Sequence, residues 1–183
     1  VRDTANGAPV DLDTAFRIAS MTKSFTALSI LKLRDEGKLS LEEPVAKHVP
    51  ELAGLAYPTR DSAPLTIRQL LTHSEGFPED NPWGDRQLAI GDDVFARWLA
   101  AGIPFSTAPG TAFEYSNYGF AILGRVVARA SGTAYRDYVD QKILRPLGMT
   151  STRWEPSSVP AERRARGYRW KGGGWREEAA PAA

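Results

Sequence analysis

Apolar positions along the chain follow three different rhythms. From Ser20 to Glu36 they fall at Met21, Phe25, Leu28, Ile30, Leu31 and Leu33, which at about 100° per residue point in nearly every direction. The spacing predicts a helix closed by Gly37 as its C-terminal cap. A helix apolar all round is usually a central, buried one. Asn117 to Ala130 instead carries a single apolar stripe, with Gly132 just beyond, and predicts an amphipathic helix. Shorter helices are expected over 92–101, where Asp92 and Asp93 sit at the positive end, and from about Tyr135 to Ile143 before Pro146. Leu39 to Val49 reads as a turn and short helix. Thr66-Ile67-Arg68-Gln69 has the form of a capping box, opening a short helix that ends near Gly76. Residues 1–15, with Asn6-Gly7-Ala8-Pro9, and residues 77–91 read as polar loops. Only Gly167 to Trp170 and Trp175-Arg176 look like strands, two short ones around a glycine turn.

Composition narrows the classes. The 183 residues are 42% hydrophobic and 25% charged, an ordinary globular balance. A net charge of +1 gives no global field for nucleic acid or an acidic membrane. Arg163, Arg164, Arg166, Arg169, Lys171 and Arg176, interleaved with Tyr168, Trp170 and Trp175, are therefore read as a solvated hairpin face, and no nucleic-acid partner is expected. Without cysteine there are no disulfides or thiolate sites, and His48 and His73 lack metal-ligand spacing, so neither metal nor cofactor is expected. No apolar run is long enough to span a bilayer. The closing Glu177-Glu178-Ala179-Ala180-Pro181-Ala182-Ala183 reads as a flexible linker, with the expectation that further sequence follows.

Two constellations carry chemistry. Ser20-Met21-Thr22-Lys23 is an S-x-x-K motif, and residues three apart on a helix share a face, so hydroxyl and amine can meet. A helix start also offers unpaired N–H groups to an oxyanion, and its positive end disfavours a second positive charge, which suits a lysine acting as a base. Serine equally favours the N-cap position, and the motif is common by chance. Ser29-Ile30-Leu31-Lys32 matches as well, but lies mid-helix on the opposite side, so Ser29 is read as structural. The second constellation is Tyr115-Ser116-Asn117, where a loop ends as a helix begins. Tyr115 and Asn117 can project to one side; equally, Tyr115 can pack as an ordinary aromatic while Ser116 or Asn117 caps the helix. A phenol beside an ammonium gains acidity, and an asparagine amide can hold a carbonyl.

Together these segments resemble the serine β-lactamase-related, penicillin-binding-protein-like family, which includes class C β-lactamases, D-Ala-D-Ala carboxypeptidases, D-aminopeptidases and lactamase-like esterases. Phe16 to Lys23 looks like its nucleophile segment. Gly37-Lys38-Leu39-Ser40-Leu41 with Pro44-Val45 is similar to the segment after that helix. Ile67 to His73, Tyr115-Ser116-Asn117-Tyr118-Gly119 and Pro146-Leu147-Gly148-Met149 resemble its later landmarks, in order, over residues 14 to 152. The resemblance implies an α+β, β-lactamase/transpeptidase-like fold. This chain would cover mainly the helical domain and the nucleophile helix, with the antiparallel sheet largely missing. Residues 1–183 then form a partial domain: nucleophile helix about 20–36, helical subdomain about 40–160, hairpin 167–176 and Ala/Pro linker 177–183.

By the same resemblance Ser20 is the acylated nucleophile, Lys23 and Tyr115 share proton transfer, and Asn117 binds the substrate's amide or carbonyl. Which of Lys23 and Tyr115 is the acylation base stays open. The implied activity is acyl transfer on amide, β-lactam or ester substrates, small molecule or peptide. The alternative is a non-catalytic sensor or interaction module, or an inactive fragment that needs a complementing segment. Two departures stand out. Where the family commonly has His-Thr-Ser-Gly, this chain has His73-Ser74-Glu75-Gly76, which puts a carboxylate in a loop expected near the cleft; His73 itself is read as a structural hydrogen-bonder, the commoner role of such a histidine. The family's third motif, K-x-G or H-x-G, has no counterpart at the expected distance, and Lys171-Gly172-Gly173 is a chance match inside a turn. A complementing polypeptide segment is therefore expected to supply the sheet and the third motif.

Overall fold

The computed structural model describes residues 3–4, 7–80 and 90–178. Most of the loop expected over 77–91, the end of the linker over 177–183, and Asn6 lie outside these residues. The chain falls into two compact units, Met21–Thr150 on one hand and Val1–Ser20 with Ser151–Ala183 on the other.

The Met21–Thr150 unit is helical. Helix α1 (Thr22–Asp35) packs against α4 (Asn117–Ser131), with Ile30 and Leu33 fully buried in the same core as Ile122, Leu123, Val126 and Val127. Each such side chain gains roughly 1.5–3 kcal/mol by leaving water, which explains why the single stripe of α4 faces inward. Between them in the chain come α2 (Ile67–Leu71) and α3 (Asp92–Ala101), which add Ile67, Leu70, Phe95 and Leu99 to that core. Helix α5 (Tyr135–Val139) continues as a π-helical turn over Asp140–Leu144. Inside the core boundary Arg125 is held by Glu51 and Asp92, both at 2.7 Å, so its buried charge is paired.

Local chemistry explains the helix ends. Thr66 accepts from Gln69 N at 3.3 Å while Thr66 N donates to Gln69 Oε1 at 2.9 Å, a complete capping box. The helix it opens ends at Leu71, short of the expected Gly76, because His73 turns the chain into the left-handed region at φ 53°. Gly132 closes α4 with φ 70°. The nucleophile segment departs from the expectation of complete burial: Met21, in the turn before α1, is 66% exposed, and Leu28, in α1, is 42% exposed.

In the other unit, β1 (Tyr168–Lys171) and β2 (Gly174–Glu177) form an antiparallel hairpin pairing Trp170 with Trp175 and Lys171 with Gly174. Gly172 and Gly173 make its two-residue turn at φ 61° and 80°, positive angles at both positions that glycine adopts without strain. Lys171-Gly172-Gly173 therefore lies at a hairpin tip. Asp3 accepts from Tyr168 Oη and pairs with Arg166 at 3.3 Å. Strand among the described residues is confined to this hairpin.

Candidate active site

Ser20 lies in a single 3-10 turn, Ala19–Met21, that runs directly into α1, and its side chain is exposed. The preceding residue, Ala19, has φ 43°. An L-residue in the left-handed region costs on the order of 1–3 kcal/mol, and such strain persists where neighbouring structure enforces it. Ser29 is fully buried and donates its hydroxyl to Phe25 O at 2.8 Å, the back-bonding expected of a mid-helix serine.

Within the helical unit, Lys23 in the first turn of α1 reaches across to the start of α4. Its Nζ donates to Tyr115 Oη at 2.6 Å and to Asn117 Oδ1 at 2.5 Å. The same nitrogen stands 4.6 Å from the Tyr115 ring centre and 5.6 Å from that of Phe120. The two constellations, ninety-two and more residues apart in sequence, thus meet at one amine.

His73 underlies this arrangement. Its ring packs against Tyr115 at 4.8 Å, Phe120 at 4.9 Å and Phe113 at 5.5 Å between centres. Ser116 N donates to His73 Nδ1 at 3.1 Å, so the ring is an acceptor at Nδ1. Burial, and then the positive charge of Lys23, hold His73 below the usual imidazole range, with Asp80 opposing weakly. Its Nδ1 hydrogen bond fits the structural reading of His73 made from the sequence.

Asp80 was not singled out from the sequence. It accepts from Asn117 N at 2.7 Å, Tyr118 N at 2.6 Å and Ser116 Oγ at 3.1 Å. Ser116 itself is the N-cap, taking Gly119 N at 2.9 Å. All four N–H groups from Ser116 to Gly119 therefore have partners at the helix start that carries Tyr115 and Asn117. No local pattern announces Asp80, because its partners lie 36 to 38 residues away.

Glu75 corrects an expectation. It is not a cleft carboxylate: it is 0% exposed and lies beneath the first turn of α4, against Gly119. Ser116 Oγ is close enough to favour its ionised form weakly, but that hydroxyl hydrogen-bonds Asp80, and neither Glu75 oxygen has a hydrogen-bond partner. Burial dominates and pushes the Glu75 carboxyl up from 4.5 to about 7. No group of acidic or histidine side chains among the described residues is arranged to hold a metal.

Similarity to known proteins agrees with this architecture. The family model described as Beta-lactamase matches residues 1–183. The chain is 35% identical over 155 residues to the D-alanyl-D-alanine-carboxypeptidase/endopeptidase AmpH of Escherichia coli, covering 83% of this chain and 40% of that protein. It is 40% identical over 152 residues to Beta-lactamase-like protein 2 of Dictyostelium discoideum, covering 80% of this chain and 27% of that one. Among solved structures, the octameric penicillin-binding protein homologue from Pyrococcus abyssi superposes with a TM-score of 0.79 at 32% identity, over 98% of this chain and 42% of that chain. The chain thus spans less than half the length of these relatives. Helical unit, hairpin and matched sequence agree on a β-lactamase/transpeptidase-like fold, and the chain belongs to the β-lactamase family.

Proposed function

We propose that this chain carries the nucleophile and proton-transfer groups of a serine hydrolase that works by acyl transfer. The observation that carries the reading is the amine of Lys23, bonded at once to Tyr115 Oη and Asn117 Oδ1, three residues after Ser20 in the chain. Ser20 Oγ attacks the carbonyl carbon of an amide, β-lactam or ester. Its proton passes to the Lys23–Tyr115 pair as the new C–O bond forms. The C–N or C–O bond to the leaving group then breaks, and that group leaves with the proton. Water, deprotonated by the same pair, hydrolyses the acyl-Ser20 ester and regenerates the hydroxyl. Asn117 holds the substrate's carbonyl or amide group. The strained Ala19 immediately before Ser20 supports the assignment, since strained backbone clusters at functional sites. The likeness to a D-alanyl-D-alanine carboxypeptidase makes a peptide ending in D-alanine the first substrate to test.

The test is hydrolysis of p-nitrophenyl butyrate, with fluorophosphonate labelling, by the intact protein. Ser20→Ala abolishes both, whereas Ser29→Ala leaves turnover within a few-fold, since Ser29 only bonds its own helix. Equal losses from the two variants refute the assignment. Stoichiometric labelling of Ser20 without turnover identifies a sensor instead.

A further inference from the structure

We propose that Asp80 is a positioning residue that sets Tyr115 and Asn117 against Lys23. The inference rests on the proposed roles of those three residues, but its geometry stands apart from them. The Asp80 carboxylate takes the backbone N–H of Asn117 and of Tyr118 and the hydroxyl of Ser116. It thereby grips the residue between Tyr115 and Asn117, the backbone of Asn117 itself, and the residue after it.

Helix formation alone does not require this grip. Ser116 already caps α4 through Gly119 N, and the helix is held to the core by Ile122, Leu123, Val126 and Val127, all fully buried. The amides of Asn117 and Tyr118 belong to the first turn, where water can satisfy N–H groups that lack an intrahelical partner. What the carboxylate adds is a fixed backbone at the point where two side chains must reach one amine. Lys23 bonds Tyr115 and Asn117 at 2.6 and 2.5 Å, so a rotation of the 116–117 peptide moves the two acceptors relative to each other and breaks at least one contact. Misplacing a catalytic group by about 1 Å costs up to about a hundredfold in rate. His73 grips the same stretch from the other side through Ser116 N. Asp80 supplies the charged half of the clamp, complementing the positive end of the helix.

The variant is Asp80→Asn in the intact protein. It keeps the shape but turns one acceptor oxygen into an NH₂ group facing a backbone N–H. Hydrogen exchange at the Asn117 and Tyr118 amides is expected to accelerate about tenfold, as loss of a helix-start bond implies, with Ile122 and Val126 unchanged. Ester turnover is expected to lose about tenfold or more in kcat with KM within a few-fold, because the binding surface persists while the reacting groups drift. In an Asn117→Ala background, Asp80→Asn costs little more. Unchanged exchange at Asn117 and Tyr118 overturns the proposal. So does faster exchange with kcat unchanged at a temperature where the variant is fully folded, which leaves Asp80 a purely structural role. If Tyr115→Phe and Asn117→Ala leave turnover intact, the proposed function fails, and exchange alone decides whether Asp80 holds the segment. Should Asp80→Asn not fold, Asp80→Glu, which keeps the charge but displaces it by one methylene, is read in the same two ways.

Discussion

Replacing Glu75 by glutamine isolates the buried acid beneath α4. The carboxyl is fully enclosed, lacks a hydrogen-bond partner, and is raised from 4.5 to about 7, chiefly by burial, with Asp80 and Glu114 adding repulsion. A group whose folded-state pKa is raised binds its proton more tightly in the native state. Its contribution to stability is complete below about 4.5 and is lost as pH rises through about 7. The interval from 4.5 to about 7, at about 1.4 kcal/mol per unit, makes that contribution about 3–4 kcal/mol. Against a typical domain stability of about 5–15 kcal/mol this is a large fraction. Urea unfolding of the intact protein at pH 5, 6, 7 and 8, followed by circular dichroism, reads it directly. The parent protein loses stability across this range, and the loss attributable to Glu75 is absent in Glu75→Gln. The amide adds a constant offset of about 1–3 kcal/mol if its NH₂ group stays unpaired, so the difference in slope is diagnostic, not the value at one pH. The His73 imidazole, held low by burial, acts in the opposite direction: its contribution is lost as pH falls through and below the usual range, so Glu75→Gln leaves that slope in place. Parallel curves for parent and variant across pH 5–8 refute the reasoning.

Four further outcomes follow from the same geometry. Gly119→Ala places a Cβ in collision with Glu75 Oε1 and 3.2 Å from its Cδ, so the variant loses about 1–3 kcal/mol in urea unfolding despite alanine's better helix propensity; in a Glu75→Ala background the loss disappears. Lys23→Arg keeps the charge but supplies no free base near neutral pH, and pre-steady-state acylation slows by about a hundredfold or more. Tyr115→Phe costs a similar factor while its thermal midpoint stays within a few degrees of the parent's, and near-normal rates in either variant remove that residue from the proton path. Residues 1–183 produced alone bind a hydrophobic dye, because Met21 just before α1, Leu28 on α1, Leu147 and Met149 are exposed; an unresponsive dye shows that these side chains find cover within the chain.

Short-range features were legible in the residues themselves. The Thr66–Gln69 capping box, the Gly132 cap, the stripe of α4 and the glycine turn at 172–173 each depend on groups within a few positions, where sterics and hydrogen-bond reach leave few options. The order of the Ser20–Lys23 and Tyr115–Asn117 motifs also belongs to the sequence, and with it the family. What lies between the motifs did not. That Lys23 bonds Tyr115 and Asn117 depends on α1 crossing α4 in one register, which no local pattern encodes. Asp80 reads as one more loop acid until the chain folds back and presents it to three donors. Glu75 reads as a carboxylate in a loop near the cleft; only the packing of α4 over it, at a glycine without a Cβ to interfere, puts it in the interior and raises its proton affinity. Local chain chemistry determined the elements and the order of the candidate motifs, whereas the mutual distances and proton affinities of their side chains were decided by packing and burial, which depend on every element at once.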